Sequence, residues 1–414
     1  MVAELSQKCF LSDVAEDAKR QMSLLKFPSN KQDRWRFNQF NEFKKVSFTS
    51  SKKTKIHPNQ IKNFRIHNSI RIVLVDGHFD DGLSDAFEGN ILFSGLLNTV
   101  STRPEAIESQ LTKIAPYNDN YFTAENTARF HDGVFIKIGN NSEIQKIIHI
   151  LNISTGGESF PRTLVIAEAN SNASIVEHFI SINEQNSITK SVTEIELNPN
   201  AHIDYLRLQD ENNYTFHFSH FASKQNKDSR LSVNSITCGG KETINDSLNE
   251  LSETGSEVSL YGIFMTDGNQ FVDNHTQVIH AAPHTVSSEN YKGILAGSSK
   301  AIFDGKIIVK QDSQKIESSQ SNKNLLLSQN ARIHSNPQLE INADDVKCSH
   351  GSTTGQLDED AMFYLQSRGL SAKKSKKMLV EGFANDVIEK IKFEEIRNLI
   401  SQKVFKLITQ DHNN

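Results

Sequence analysis

Three cysteines, eight prolines and one tryptophan in 414 residues exclude several chemistries at once. Cys9, Cys238 and Cys348 are each more than a hundred residues apart and no C-x-x-C occurs, which rules out a disulfide framework and a self-contained four-thiolate metal site. No run of about eighteen apolar residues marks a membrane span, and residues 1–30 lack the apolar stretch of a signal peptide, so a cytoplasmic protein is expected. Neither sign of charge dominates. The 45 Lys+Arg against 50 Asp+Glu give a net charge of -5, which argues against a protein built to neutralise nucleic-acid phosphates. GxGxxG, the GxxxxGK phosphate loop, the G-x-S-x-G nucleophile elbow and the HExxH zinc helix are all missing, so the chain does not itself read as an ATPase, serine hydrolase or zincin.

What is present is a soluble globular composition, 36% hydrophobic and 23% charged, in a length that suggests two or three domains. The 25 Phe beside 7 Tyr point to a Phe-packed interior. Two helices are expected early. Ser12 would cap DVAEDAKRQMSLLKF, with Val14, Ala18, Met22 and Leu25 in one stripe and Pro28 ending it; Pro104 to Ile114 would carry Ile107, Leu111 and Ile114 on one face.

From about Phe130 the pattern becomes short β-type runs: VFIKI (134–138), IIHILNI (147–153), TLVIAEA (163–169), SIVEHFISI (174–182), TEIEL (193–197), HIDYLRL (202–208), FHFSHF (216–221), RLSVNSI (230–236), EVSLYGIF (257–264) and AIFDGKIIV (301–309). PQLEI (337–341) reads as the last strand. Such spacing fits either a β-sandwich or a parallel β-solenoid; few prolines and many Asn and Ser in the breaks favour the solenoid, though no fixed repeat length emerges. Helical periodicity returns with Asp358 as an N-cap, Leu357 and Met362 as a hydrophobic staple and Gly369 at C′. Ser371 caps a second helix carrying Leu379, Phe383, Val387 and Ile391. A third, from Phe393 to Ile408, carries Ile396, Leu399, Ile400, Lys403, Val404 and Leu407. The run Lys373, Lys374, Lys376 and Lys377 reads as a solvated face or a docking surface.

Two constellations carry chemistry. In DNHTQVIHAAPH (273–284), Asp273, His275, His280 and His284 offer several ligands, but His275 and His280 differ by an odd number and face opposite sides of a strand. In ADDVKCSHG (343–351), Cys348 and His350 stand i and i+2 on one strand face, with Cα atoms roughly 7 Å apart. A thiolate and an imidazole suit iron, zinc or an iron–sulfur cluster, yet two ligands are too few for a closed site, so others would come from elsewhere in the fold or from another subunit. The bland alternative is a buried Cys and a surface His.

The block QSNKNLLLSQNARIHSNPQLEINADDVKCSHGSTTGQLDEDAMFYLQSRGL (320–370) strongly resembles the C-terminal signature of the SufD branch of the SufB/SufD family of iron–sulfur cluster assembly proteins. Asp273, His280, Ser287, YKGIL (291–295), AIFDGKIIV, DRWRF (33–37) and FTAENTARFHDGVFIKI (122–138) are similar to the family pattern. The resemblance implies a mainly β chain: a right-handed parallel β-helix over 126–350, an N-terminal helical region over 1–125 and a C-terminal helical domain over 351–414. It implies a non-enzymatic scaffold joined to SufB and to the ATPase SufC, in which SufC docks on the C-terminal helices at Leu357, Met362, Phe363, Leu365 and Arg368. His350 would lie at the β-helix edge facing a SufB cysteine, with Cys348 a weaker candidate, and a transient cluster or iron would be held there, none being expected in the isolated chain. A homodimer of isolated chains is a further expectation. Two competing readings are a β-solenoid carbohydrate-active enzyme using Asp273 and Asp304 as acid and base, and a metal hydrolase at His275, His280 and His284.

Overall fold

A computed structural model describes residues 2–409 apart from 39, 41, 50–53 and 88, with residues 2–9 described by their helical backbone alone. Two parallel sheets dominate it, and consecutive strands alternate between them, so each turn of chain lays one strand on each sheet. This is a parallel β-solenoid. One sheet runs from Ser69–Val75 to Val346–Gly355 and the other from Ile91–Gly95 to Arg332–Ile341. Solenoid strands thus begin well before residue 126. The sequence runs named above all fall on strands, and one more strand follows PQLEI, because Val346–Gly355 pairs in parallel with Ile316–Leu326.

The missing repeat length has a simple cause. His202 pairs with Arg230, Arg230 with Glu257, Glu257 with Val286 and Val286 with Glu317, so successive turns advance by 28, 27, 29 and 31 residues. Strand register is constant while corner length is not. Corners use residues that tolerate left-handed backbone: Asn141, Asn170 and Asn200 have φ of 53°, 55° and 59°, and their amides bond rung to rung at 2.8 Å. Farther along, Gly255 (φ 74°) faces Asp228, whose Oδ1 would lie 2.0 Å from an added Cβ.

Between the sheets, Ile72, Ile136, Val165, Ile175, Ile195, Ile203, Leu260 and Phe303 build the apolar interior. Each outer face is covered by different chain. The C-terminal helices Glu359–Ser367, Ala372–Ile388 and Glu394–Thr409 bring Val380, Ala384, Val387, Ile396, Ile400 and Val404 onto Val176, Leu206, Ile236, Ile263 and Ile294 of the first sheet. Asp358, Ser371 and Gly369 (φ 90°) stand where the sequence put the caps. On the second helix the buried stripe is Val380, Ala384 and Val387, leaving Leu379 and Phe383 half-buried. Over the second sheet, Trp35, Phe40, Phe122, Phe216 and Phe218 cluster with Phe27, Phe43 and Phe48, which accounts for much of the phenylalanine excess.

Two helical expectations change, and one helix is added. The first helix spans Val2–Leu25, so Ser12 lies inside it and caps nothing, while Lys26 (φ 58°) ends it ahead of Pro28. Residues 104–114 form a 3-10 turn at Pro104–Ala106 followed by irregular turns, although Ile107, Leu111 and Ile114 are buried together. At the end of this stretch, Glu194 holds the backbone by taking the N–H groups of Thr112 (3.1 Å) and Ala115 (3.0 Å) on its carboxylate. Tyr121–Arg129, which overlaps the start of the family-like stretch 122–138, is a helix capped by Asn120. No described helix is long and apolar enough to cross a membrane.

Candidate functional site

At the C-terminal end of the solenoid each sheet stops on a strand bonded on one side only: Arg332–Ile341 pairs with Lys300–Val309, and Val346–Gly355 with Ile316–Leu326. These strands are largely exposed. Their unpaired edges present a row of free backbone donors and acceptors, a template for another strand.

Cys348 and His350 sit on that last strand. In register, Cys348 stands beside Ser318 and His350 beside Gln320, and both Ser318 and Gln320 face the interior and are buried. Cys348 and His350 therefore share the inward-facing side of the last strand at the point where the interior opens to solvent. Cys348 is half-buried and His350 exposed. Burial pushes the Cys348 thiol up, so it carries less thiolate than an exposed cysteine. Ser352 donates its hydroxyl to Ser335 at 2.7 Å, tying the two last strands together.

Behind Cys348 runs a chain of small polar groups. Ser318 and Ser287 hydroxyls lie 2.6 Å apart, Ser287 lies 2.9 Å from His280 Nε2, and His280 Nδ1 lies 2.7 Å from Thr285. Burial lowers the His280 pKa to about 4, so the ring is neutral at physiological pH. Nothing in the spacing of the sequence announced this chain, because its members are contributed by different turns.

The other constellation disperses. His280 points inward to Thr285 and Ser287, His275 lies on the opposite strand face, 2.9 Å from Asp273 and with its ring 5.1 Å from that of Trp35, and His284 (φ 57°) turns a corner. Burial disfavours charge on His275, but Asp273 outweighs it and raises the pKa. Among the described residues no three His, Cys, Asp or Glu side chains are placed to hold a metal. The trio required for a metal hydrolase is thus not assembled. Cys348 and His350 likewise fit a soft metal only as a partial donor set completed from outside the chain.

The proposed acid–base pair fares no better. Asp273 is fully buried beneath the N-terminal segment and accepts from Asn38 at 3.0 Å, while Asp304 accepts from Asn336 (3.0 Å) and Gln338 (2.9 Å). Neither is a free carboxyl in a cleft. A cleft of about 1410 Å³ lies elsewhere, between the N-terminal segment and the last helix; its wall includes Tyr214, Lys241 and Cys238, whose thiol burial pushes up to about 12.

On the helix Glu359–Ser367 no residue is buried, and Phe363 and Tyr364 are 75% and 57% exposed. Of the expected docking residues, Phe363 and Arg368 face solvent, Met362 and Leu365 are half-buried, and Leu357 packs against the annex core. Within the basic run, Lys373 and Lys377 lie over the Phe405 ring at 5.6 and 4.9 Å.

Comparison with known proteins covers nearly all of this architecture. Residues 149–383 match the family model described as SUF system FeS cluster assembly, SufBD core domain, and residues 2–150 match the SufBD protein N-terminal region. The chain is 27% identical to the iron-sulfur cluster assembly protein SufD of Escherichia coli, over 95% of its own length and 92% of that protein. It is 29% identical to the iron-sulfur cluster assembly SufBD family protein slr0076 of Synechocystis sp., over 92% of its length and 87% of that protein. Over a shorter span, 58% of the chain and 51% of the relative, it is 32% identical to the chloroplastic protein ABCI7 of Arabidopsis thaliana.

Proposed function

The chain belongs to the SufBD family of iron–sulfur cluster assembly proteins and is a SufD homologue, and from that premise we propose that it is the SufD-type scaffold subunit of a cytoplasmic complex with SufB and the ATPase SufC. The observation that carries this reading is the end of the solenoid, where an unpaired strand edge and the inward-facing Cys348 and His350 coincide. A β-helix of similar shape joined edge to edge through Val346–Gly355 would continue the sheet and cover the open interior.

Iron or a nascent cluster is the cargo at this junction. His350 supplies an imidazole from one side, and SufB supplies a thiolate from the other, which makes good the shortage of ligands in this chain alone. Cys348, with its pKa raised, is the secondary donor. SufC binds the C-terminal helical annex through its exposed aromatic face, and its nucleotide-driven movement is transmitted to the junction because the annex packs directly on the first sheet. The chain itself positions and holds; the hydrolytic step belongs to SufC.

The test is coexpression of this chain with SufB and SufC and anaerobic purification, followed by assay of iron and acid-labile sulfide. A ternary complex is expected, and His350→Ala should leave the complex intact while abolishing cluster build-up. Normal cluster yield in that variant would overturn the role of His350.

A further inference from the structure

His350 is the outermost member of a ladder. Glu289 pairs with Gln320 and Gln320 with His350, so three inward-facing side chains occupy successive rungs of one column. Glu289 and Gln320 are 4% and 3% exposed, whereas His350 stands at the opening.

The amide of Gln320 has its orientation imposed from behind. Its Nε2 donates to Glu289 Oε2 at 2.7 Å. A carboxyl oxygen in that position selects the NH2 end of the amide, and the two ends of an amide diverge, so Oε1 is turned away from Glu289. Gln320 Oε1 is buried and has no hydrogen-bond partner within the described chain. A buried carbonyl left without a donor is costly, and the neighbouring ring carries an N–H. Space for the amide is provided by Gly305 on the facing sheet, where an added Cβ would lie 2.4 Å from Gln320 Nε2 and 3.0 Å from its Cδ.

Metal-ligating histidines are usually held by donating their second ring N–H to a carbonyl or carboxylate, which fixes both the tautomer and the orientation of the ring. We propose that Gln320, oriented by Glu289, is a positioning residue that accepts a ring N–H of His350 and thereby determines which nitrogen is presented at the junction. The purpose of this arrangement rests on the reading of His350 as a junction ligand; its existence does not.

The experiment uses the isolated full-length chain with 15N-labelled histidine ring nitrogens, the His350 signals being assigned by their loss in His350→Ala. Under alkaline conditions, with the ring neutral, Gln320→Leu is expected to shift the tautomer ratio of His350 about fivefold, the factor one net hydrogen bond supplies. Gly305→Ala, which keeps the amide but displaces it, is expected to move the ratio in the same direction, and its melting curve verifies that the solenoid still forms. Ser318→Ala, on the neighbouring column, is expected to leave the ratio unchanged. Unaltered His350 signals in Gln320→Leu would overturn the proposal, as would an equal shift in Ser318→Ala, which would mean general loosening of the end. Because neither partner nor iron is present, this outcome is independent of the cluster assay on His350→Ala, and either inference can fail alone.

Discussion

The guanidinium of Arg162 and the carboxylate of Glu194 meet at 2.5 Å with neither side chain exposed at all. Around them the charge is distributed with care: Arg162 also donates to Asn126 and Thr127 at 3.1 and 3.0 Å, and Glu194 accepts the backbone of Thr112 and Ala115. Removing only the cation leaves a buried carboxylate without its counter-charge. Arg162→Leu is therefore expected to cost about 3–5 kcal/mol in urea denaturation. A loss below about 1 kcal/mol, the range of surface substitutions, would show that the pair does not anchor the N-terminal segment to the solenoid.

A second prediction follows from Glu289. Burial raises its pKa to about 7, with the Gln320 hydrogen bond opposing the shift only in part. An acid whose folded pKa exceeds its unfolded value contributes stability that is complete below the unfolded value and disappears as pH rises through the folded one. Between pH 5 and 8.5 the wild type should thus lose stability that Glu289→Gln retains, by up to about 3 kcal/mol. Paired urea titrations at both pH values measure the difference; a difference that does not change with pH would contradict the assignment.

The described cysteines should separate by reactivity. Burial pushes the Cys238 thiol to about 12 and raises that of Cys348 less. At pH 8 Cys238 would carry roughly a thousandfold less thiolate than an unperturbed cysteine. In a Cys9→Ser background, iodoacetamide is expected to modify Cys348 on the folded protein and Cys238 only after unfolding, as followed by mass spectrometry. Equal rates on the folded chain would refute the difference.

How far the sequence could be read depended on what faces inward. Runs such as VFIKI and HIDYLRL announced strands because apolar residues fill inward positions, Val134, Ile136 and Ile138 in one and Ile203 and Tyr205 in the other. ETINDSLNEL and IESSQSNKNLL passed unnoticed because their inward positions include Asn245 and Asn249, or Ser318, Gln320 and Asn322, which bond to neighbouring rungs and erase the alternation. A polar residue inside a solenoid is satisfied by a residue about thirty positions away, and a local window of sequence does not contain that partner. The same holds at the site. The i, i+2 spacing put Cys348 and His350 on one face, whereas the supporting ladders through Ser318 and Gln320 required the register of turns. Asn120 ahead of Tyr121–Arg129 was a legible cap, hidden by the short length of its helix.

The C-terminal annex divides its apolar residues between two tasks, and the division can be tested. Leu357 packs against the apolar cluster that includes Val380, Ala384 and Ile400, so substituting it would loosen the annex itself. Phe363, 75% exposed on a helix with no buried residue, contributes little to folding and is available to a partner. Phe363→Asp is accordingly expected to change stability by no more than about 0.5 kcal/mol, while weakening SufC binding by at least about 30-fold, the effect of losing an interfacial aromatic anchor. Calorimetric titration of the purified chain with SufC, alongside a urea melt of each variant, reads both quantities. Undiminished affinity with Asp at 363 would move the docking surface away from this helix, since a buried carboxylate in an apolar interface is not tolerated without a compensating partner.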